Sequence, residues 1–230
     1  MKLRIKFRKY GPVRFIGHLD VMRFFQKAIR RAGIDVTYTT GFSPHQVMSF
    51  AAPLGVGLTS NGEYMDIEVN SFHSCQDVLE RLNQASVPGI EVVSVKELPK
   101  EAGNAMASVA AASYTVRFRE GRAPAADLSA VLPGFLGKKQ IVITKETKKG
   151  SREVDLKPGI YRLEWSENAF FMLVDASSGG NIKPVQVIEA LLAECGETLP
   201  ENALIITREE VYTNVGTQEK QKLVPLGEIS

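Results

Sequence analysis

The chain has 230 residues, 44% hydrophobic and 23% charged, a composition ordinary for a protein that folds around its own apolar core. That length suits one large domain or two of roughly 110 residues, and either buries enough surface without metal or disulfide support. No stretch approaches the roughly 18 consecutive apolar residues of a membrane span, and Met1-Lys2-Leu3-Arg4-Ile5-Lys6-Phe7 alternates charge with apolar side chains where a secretory leader would run uninterrupted, so a cytoplasmic location is expected.

Net charge is +2, but it is unevenly spread. Residues 1–50 hold ten Lys/Arg against Asp20 and Asp35, a balance of +8, and the rest of the chain carries −6. A local excess of this kind is the electrostatic footprint expected for a polyanion, because each cation placed on a phosphate releases condensed counterion; a solvated basic face balanced by acids elsewhere in the fold is the plain alternative. Cys75 and Cys195 have no CxxC partners, which excludes a zinc ribbon or an iron–sulfur cradle built from this chain alone, and two reduced thiols are expected.

Residues 2–9 alternate with the period of a strand buried on one side, Leu3, Ile5 and Phe7 inward and Lys2, Arg4, Lys6 and Arg8 outward. Gly11-Pro12 breaks that strand. From His18 to Ala32, Leu19, Met22, Phe25 or Gln26, Ile29 and Ala32 recur at helical spacing, with Gly33 closing the helix, while Arg23, Lys27, Arg30 and Arg31 form a stripe of cations on its other face. Short strands are predicted over 34–39 and 47–52 around the loop Gly41-Phe42-Ser43-Pro44-His45, and a clearer one over 63–69. A helix over 74–85 with Ser74 as N-cap and a strand over 90–95 follow. The order βαββαβ points to a ferredoxin-like sandwich over residues 1–98. Residues 99–112 read as a linker. The second half repeats the theme over 113–212: strands at 114–119 and 140–146, a weak helix over 127–132 stopped by Pro133-Gly134, a hairpin pairing 161–165 with 170–175, a helix over 184–195 and a last strand over 204–212. The fold class expected is therefore α+β, two tandem ferredoxin-like domains, with a flexible tail over 213–230.

Three constellations carry chemistry. Arg14, His18, Asp20 and Arg23 lie within ten residues at the start of the first helix, where His18 oriented by Asp20 can move a proton, or the arginines and free backbone N–H groups can clamp a phosphate. The structural alternative is that Gly17-His18 only initiates the helix and Asp20 pairs with Arg23. In the loop, Phe42 and His45 can stack on a base or ring, His45 adding a candidate acid/base; packing of Phe42 into the core is the alternative. The run Lys148-Lys149-Gly150-Ser151-Arg152-Glu153-Val154-Asp155-Leu156-Lys157-Pro158 frames a loop whose cations, Arg152 and Lys157 among them, would extend a basic surface or simply be solvated. No Ser-His-Asp, HExxH, P-loop or dinucleotide pattern is present, and no metal-ligand spacing is recognisable.

Arg14-Phe15-Ile16-Gly17-His18-Leu19-Asp20-Val21-Met22-Arg23, Arg30-Arg31-Ala32, Gly41-Phe42-Ser43-Pro44-His45, Glu63-Tyr64-Met65-Asp66 and Arg152-Glu153-Val154-Asp155-Leu156-Lys157-Pro158 together resemble the signature of a bacterial radical-SAM-linked family of unknown function, over nearly the whole chain. In that family the domain is encoded beside, or fused behind, a radical S-adenosylmethionine protein, often near genes for a ribosome-associated ribonuclease and ribosomal proteins. The resemblance therefore implies a radical SAM partner and an RNA setting. It implies no cofactor in this chain, which lacks the three-cysteine cluster motif; the partner would carry the iron–sulfur cluster and S-adenosylmethionine. At the level of fold alone, two tandem ferredoxin-like domains are also similar to CRISPR RNA endonucleases and tRNA pseudouridine synthases, although neither Asp20 nor Asp155 sits in a recognisable synthase loop.

The expectation is an RNA-binding accessory protein that presents a tRNA or rRNA segment to a radical SAM partner. Arg23, Lys27, Arg30 and Arg31 would neutralise phosphates, Arg14, His18, Phe42 and His45 would shape an adjoining pocket, and Arg152 and Lys157 would widen the contact. The alternatives are a stand-alone RNA-modifying or RNA-cleaving enzyme using His18, Asp20 and His45, and a protein–protein adaptor without RNA contact.

Overall fold

The period-two pattern at the N-terminus forms strand β1 (Lys2–Lys9), with Leu3, Ile5 and Phe7 almost wholly removed from water. The computed structural model describes residues 1–99, 101–147, 150–217 and 220–229. A 3-10 turn leads into α1 (His18–Arg31), whose Val21, Phe25, Ala28 and Ile29 are buried. Then come β2 (Asp35–Val36), β3 (Met48–Phe50), β4 (Thr59–Ser71), α2 (Cys75–Gln84), β5 (Ile90–Leu98) and the short α3 (Ala105–Ser108). The Ser74 hydroxyl accepts the Asp77 N–H and so caps α2 as its sequence position predicts.

β1 runs antiparallel between β4 and β5, with Leu3 opposite Ile67 and Ile5 opposite Met65. β2 and β3 pair with β4. They are shorter than predicted because the chain between them folds on itself, with Tyr38 bridging to Gln46 and the Thr39 N–H bonding the His45 carbonyl. Phe25 and Ile29 of α1 and Val78 and Leu82 of α2 join Leu3, Ile5, Phe7 and Ile67 in one apolar core.

Residues 111–207 form the second compact unit. It contains β6 (Ala111–Phe118), α4 (Leu128–Gly137), β7 (Val142–Thr147), β8 (Gly150–Asp155), β9 (Ile160–Ser166), β10 (Ala169–Asp175) and α5 (Pro184–Glu194). β10 is antiparallel to both β6 and β9. Glu167 and Asn168 join β9 to β10 with φ of 50° and 58°, the backbone of a primed two-residue turn. α4 continues through Pro133, where a stop was expected, because Leu132 and Phe135 are buried on either side of it and Asp127 caps the first turn. The segment 148–158 was expected to be a loop. Residues 150–155 form β8, paired with β7 from Val142↔Asp155 to Thr147↔Gly150, and a 3-10 turn over Lys157–Gly159 follows; Lys148 and Lys149 lie outside the described residues.

The chain then enters β11 (Leu204–Asn214) and β12 (Leu223–Pro225). From Arg208 onward these residues belong to the first unit, together with residues 1–110. The division is thus not two consecutive halves, and two expectations change with it. Residues 99–112 are not a loose linker: Asn104 caps α3, and Ala105, Ala111 and Ala112 are fully buried. Nor do the described residues from Thr213 onward form a loose tail. β12 pairs with β11 through Tyr212↔Pro225 and Asn214↔Leu223, and Leu226 is fully buried.

The placement of these C-terminal residues covers the face of β1 that was expected to meet water. Arg4 is 4% exposed and forms a two-pronged pair with Asp66 at 2.8 and 2.9 Å, its remaining nitrogen bonding the Leu226 carbonyl at 3.1 Å. Lys6 bonds Glu210 at 2.6 Å. β4 approaches β11 so closely at Gly62 that a Cβ there would lie 2.7 Å from the Glu209 carbonyl oxygen. The architecture is mixed α+β with antiparallel strand pairings and few helices, and no helix among the described residues is long and apolar enough to cross a membrane.

Replacing Leu226 by Ala should destabilise the protein by about 2–5 kcal/mol, the range for emptying a buried leucine site. Urea unfolding measures it; a change within about 0.5 kcal/mol would be the behaviour of a loose tail.

Candidate nucleic-acid interface

Spacings of four and three place Leu19, Arg23, Lys27 and Arg30 along the side of α1 opposite Phe25. All four are exposed. Arg23 makes a solvent-facing pair with Asp20 at 3.3 Å, which contributes little. Lys27 has no ionic or hydrogen-bonding partner among the described residues, and Arg30 uses only its Nε, donating to the Gln26 carbonyl at 3.3 Å. Arg31 departs from the stripe: its guanidinium donates to the Ala85 carbonyl at 2.8 Å and so satisfies the end of α2.

The other cations of residues 1–50 do not add to this surface. Arg4 and Lys6 are paired as described, Arg8 faces Glu91 at 3.6 Å, and Lys2 donates to the Ala102 carbonyl. Much of the +8 balance is therefore spent inside the fold, and the stripe of α1 is what remains.

The loop beside the stripe is held by its own backbone. The Thr39 hydroxyl oxygen accepts the His45 N–H at 3.1 Å and lies 3.1 Å from His45 Nδ1. Gln46 is 6% exposed and donates through Nε2 to the Gln26 carbonyl at 3.2 Å, tying the loop to α1, while its Oε1 has no partner among the described residues. At the tip, Gly41 has φ of 120°, and Phe42 stands entirely in solvent, not in the core. Gln26, Arg30, Tyr38, Pro44, His45 and Gln46 line a pocket of ≈ 170 Å³.

His18 faces elsewhere. Its ring packs edge-on against Phe50 at 5.1 Å and borders a crevice with Phe7, Lys9, Val21, Phe50, Leu54 and Glu63 whose interior, ≈ 10 Å³, holds about one water. Asp20 turns outward to Arg23, and His45 is bound to Thr39. The three proposed acid/base residues are thus not assembled, and Asp20 does not orient His18. Burial and the neighbouring Lys9 charge hold His18 below the usual histidine range.

The crevice floor is a set of buried charges that sequence reasoning missed. Lys9, 1% exposed, donates to the carbonyls of Ile16 at 2.8 Å and Arg14 at 3.4 Å and so fixes the approach to α1. Burial pushes the Lys9 ammonium down, with Glu63 opposing. Glu63 meets the Arg208 guanidinium at 3.0 and 3.1 Å; burial pushes its carboxyl up, against the pull of Arg208 and Ser60. Arg208 also donates to the Ala52 carbonyl. A signal was present: Lys9 keeps the phase of Leu3, Ile5 and Phe7, and Glu63 keeps that of Met65, Ile67 and Val69, so both had to point inward. Arg14 is half-buried, its guanidinium 4.7 Å over the Phe15 ring and its Nε shielded without a partner.

In the second unit, Arg152 is exposed on β8. Lys157 is not offered to a ligand: its ammonium donates to the Leu136 carbonyl at the end of α4. Among the described residues no group of three or more His, Cys, Asp or Glu is placed to hold a metal.

A family model described as an uncharacterized protein conserved in bacteria, DUF2344, matches residues 2–184. A sequence comparison with the curated proteins found no match. Among solved structures the chain is similar to one in the crystal structure of a Cbf5-Nop10-Gar1 complex, at 10% identity and a TM-score of 0.47. That likeness covers 91% of this chain and 48% of the other, so the chain spans about half the length of that structure.

Removing Arg208 as Arg208→Met leaves the Glu63 carboxylate buried without its countercharge, and unfolding free energy should fall by about 3–5 kcal/mol; adding Glu63→Gln to it should recover part of the loss in the same urea titration. The lowered His18 pKa makes a second prediction. The unfolded chain takes up a proton at the usual histidine pKa while the folded one resists, so stability is full above that pH and declines as pH falls through it. Melting curves across the acid range should show this decline, and His18→Phe should flatten it.

Proposed function

The chain belongs to the DUF2344 family of bacterial proteins, and we propose that it is an RNA-binding accessory protein acting with a radical S-adenosylmethionine partner in tRNA or rRNA modification or processing. One observation carries the RNA reading: Arg23, Lys27 and Arg30 stand exposed on one side of a rigid helix, with no acid but Asp20 on them, beside a tethered loop that holds Phe42 in solvent. Cations that follow a backbone next to an exposed ring are the two elements of single-strand recognition, phosphate neutralisation and base stacking.

The radical SAM partner is supported by the sequence resemblance alone. The ferredoxin-like reading goes with it, supported in the first unit by the order β5–β1–β4 with β2 and β3 on the far side of β4 and two helices on the core face. The stand-alone enzyme reading has less support, because Asp20 bonds Arg23 and not His18. An adaptor without RNA contact would use the same stripe against an acidic protein, and nuclease-resistant co-purification of such a partner would favour it.

Filter binding of single-stranded RNA should weaken steeply with salt. The triple variant Arg23→Gln, Lys27→Gln, Arg30→Gln should bind all sequences more weakly and reduce the slope of log K against log salt by about 2, at roughly 0.7 per phosphate contact. Arg31→Gln, whose guanidinium is engaged at Ala85, should change the slope least. Absence of any salt slope overturns the proposal.

A further inference from the structure

The pocket between α1 and the 38–46 loop has a chemistry of its own. Of the side chains lining it, three besides the Gln26 amide carry polar groups with no partner among the described residues, and none of the lining residues is acidic. Arg30 engages only Nε, so both terminal guanidinium nitrogens have no partner among the described residues. The Tyr38 hydroxyl likewise has none, on a half-exposed side chain. His45 is the third. The Thr39 hydroxyl oxygen accepts the His45 backbone N–H and lies 3.1 Å from Nδ1, closer than the Ser43 carbonyl at 3.4 Å. In the tautomer whose Nδ1 accepts the Thr39 hydroxyl, Nε2 carries the ring hydrogen and is a donor left for a ligand. Gln46 is 6% exposed, with one Nε2 hydrogen on the Gln26 carbonyl and its Oε1 buried.

A guanidinium, an imidazole N–H and a phenol around ≈ 170 Å³ fit an anion with several oxygens. The volume is below the roughly 300–1,000 Å³ of sites that enclose whole small molecules. It suits one group of a larger ligand that continues outside, where Arg23 and Lys27 follow on the helix and Phe42 stands at the loop tip.

We propose that this pocket takes the terminal phosphate of an RNA strand, with Arg30, His45 and Tyr38 as its donors. The proposal rests on the RNA-binding reading and refines it. A terminal phosphate offers three free oxygens and close to two charges, an internal phosphodiester two oxygens and one charge, and the side chains of Arg30, Tyr38 and His45 line one pocket. The first base beyond the phosphate would then lie within reach of the Phe42 ring, which is sequence-tolerant as a platform.

The test uses the full chain and one single-stranded RNA sequence in three forms: 5′-phosphorylated, 3′-phosphorylated, and with hydroxyls at both ends. At fixed salt, one phosphorylated form should bind about tenfold tighter than the hydroxyl form, the gain of roughly one charge-assisted hydrogen bond. Arg30→Gln and His45→Ala should each erase that preference, whereas Lys27→Gln should weaken all three forms alike and keep it. Melting temperatures of the variants, expected to match the parent for these exposed positions, separate loss of the site from loss of fold. Equal affinity of the three forms, with salt-dependent binding intact, overturns the terminal-phosphate site and leaves the RNA reading standing. A preference that survives both Arg30→Gln and His45→Ala also overturns it, by placing the phosphate elsewhere. Failure of every form to bind overturns both.

Discussion

Everything at the interface depends on how β1 disposes of its charges. Five of its eight residues are cationic, and the strand lies between β4 and β5 with residues of the C-terminal segment against its second face. A cation in that position must be matched in place, since an unmatched buried charge costs several kcal/mol. Arg4 is matched by Asp66 across the strand pair and by the Leu226 carbonyl, Lys6 by Glu210, and Lys9 by carbonyls of the turn that leads into α1. The last of these matters most for the proposed interface, because the Lys9 ammonium bonds the Ile16 carbonyl just ahead of the helix whose outer side carries Arg23, Lys27 and Arg30.

The polar face of β4 tells the same story from the other side. Tyr64 is buried, with Glu210 and the Gly227 backbone at its hydroxyl, and burial drives its ionisation far above the usual tyrosine range. Arg4, Lys6, Tyr64 and Asp66, which alternate outward in β1 and β4, therefore form a second, polar interior with partners in place, while Arg8 remains exposed. Such an interior adds little net stability over an apolar one but discriminates against wrong registers: sliding β1 by two residues along β4 would separate Arg4 from Asp66.

This explains what could be read from the sequence and what could not. Local signals held: the alternation of β1, the amphipathic period of α1, the Ser74 cap and the β9–β10 turn all depend on near neighbours. The cation stripe and the exposed Phe42 were legible for the same reason. Arg31 was not separable from its neighbours on the helix, because the carbonyl that takes it, Ala85, is 54 residues away. Arg4 is paired with Asp66, 62 residues away, and bonds a carbonyl 222 residues away, while the fate of Lys157 depends on α4. Charge counted along a chain says nothing of partners that only the tertiary fold supplies, which is why a balance of +8 shrank to a single stripe. Lys9 and Glu63 are the instructive exceptions, since each sits in phase with three apolar residues of its own strand.

The first unit is discontinuous in the chain: residues 1–110 are completed by residues 208–230, with the whole of the second unit encoded between them. On the ribosome, the N-terminal strands emerge long before the segment that supplies Glu210 to Lys6 and the Leu226 carbonyl to Arg4, while residues 111–207 are contiguous and can close as soon as they are made. Maturation therefore runs inside out along the message. The inserted body can form first, and a nascent chain that stops short of residue 208 would present Lys6 without Glu210 and Arg4 without the Leu226 carbonyl.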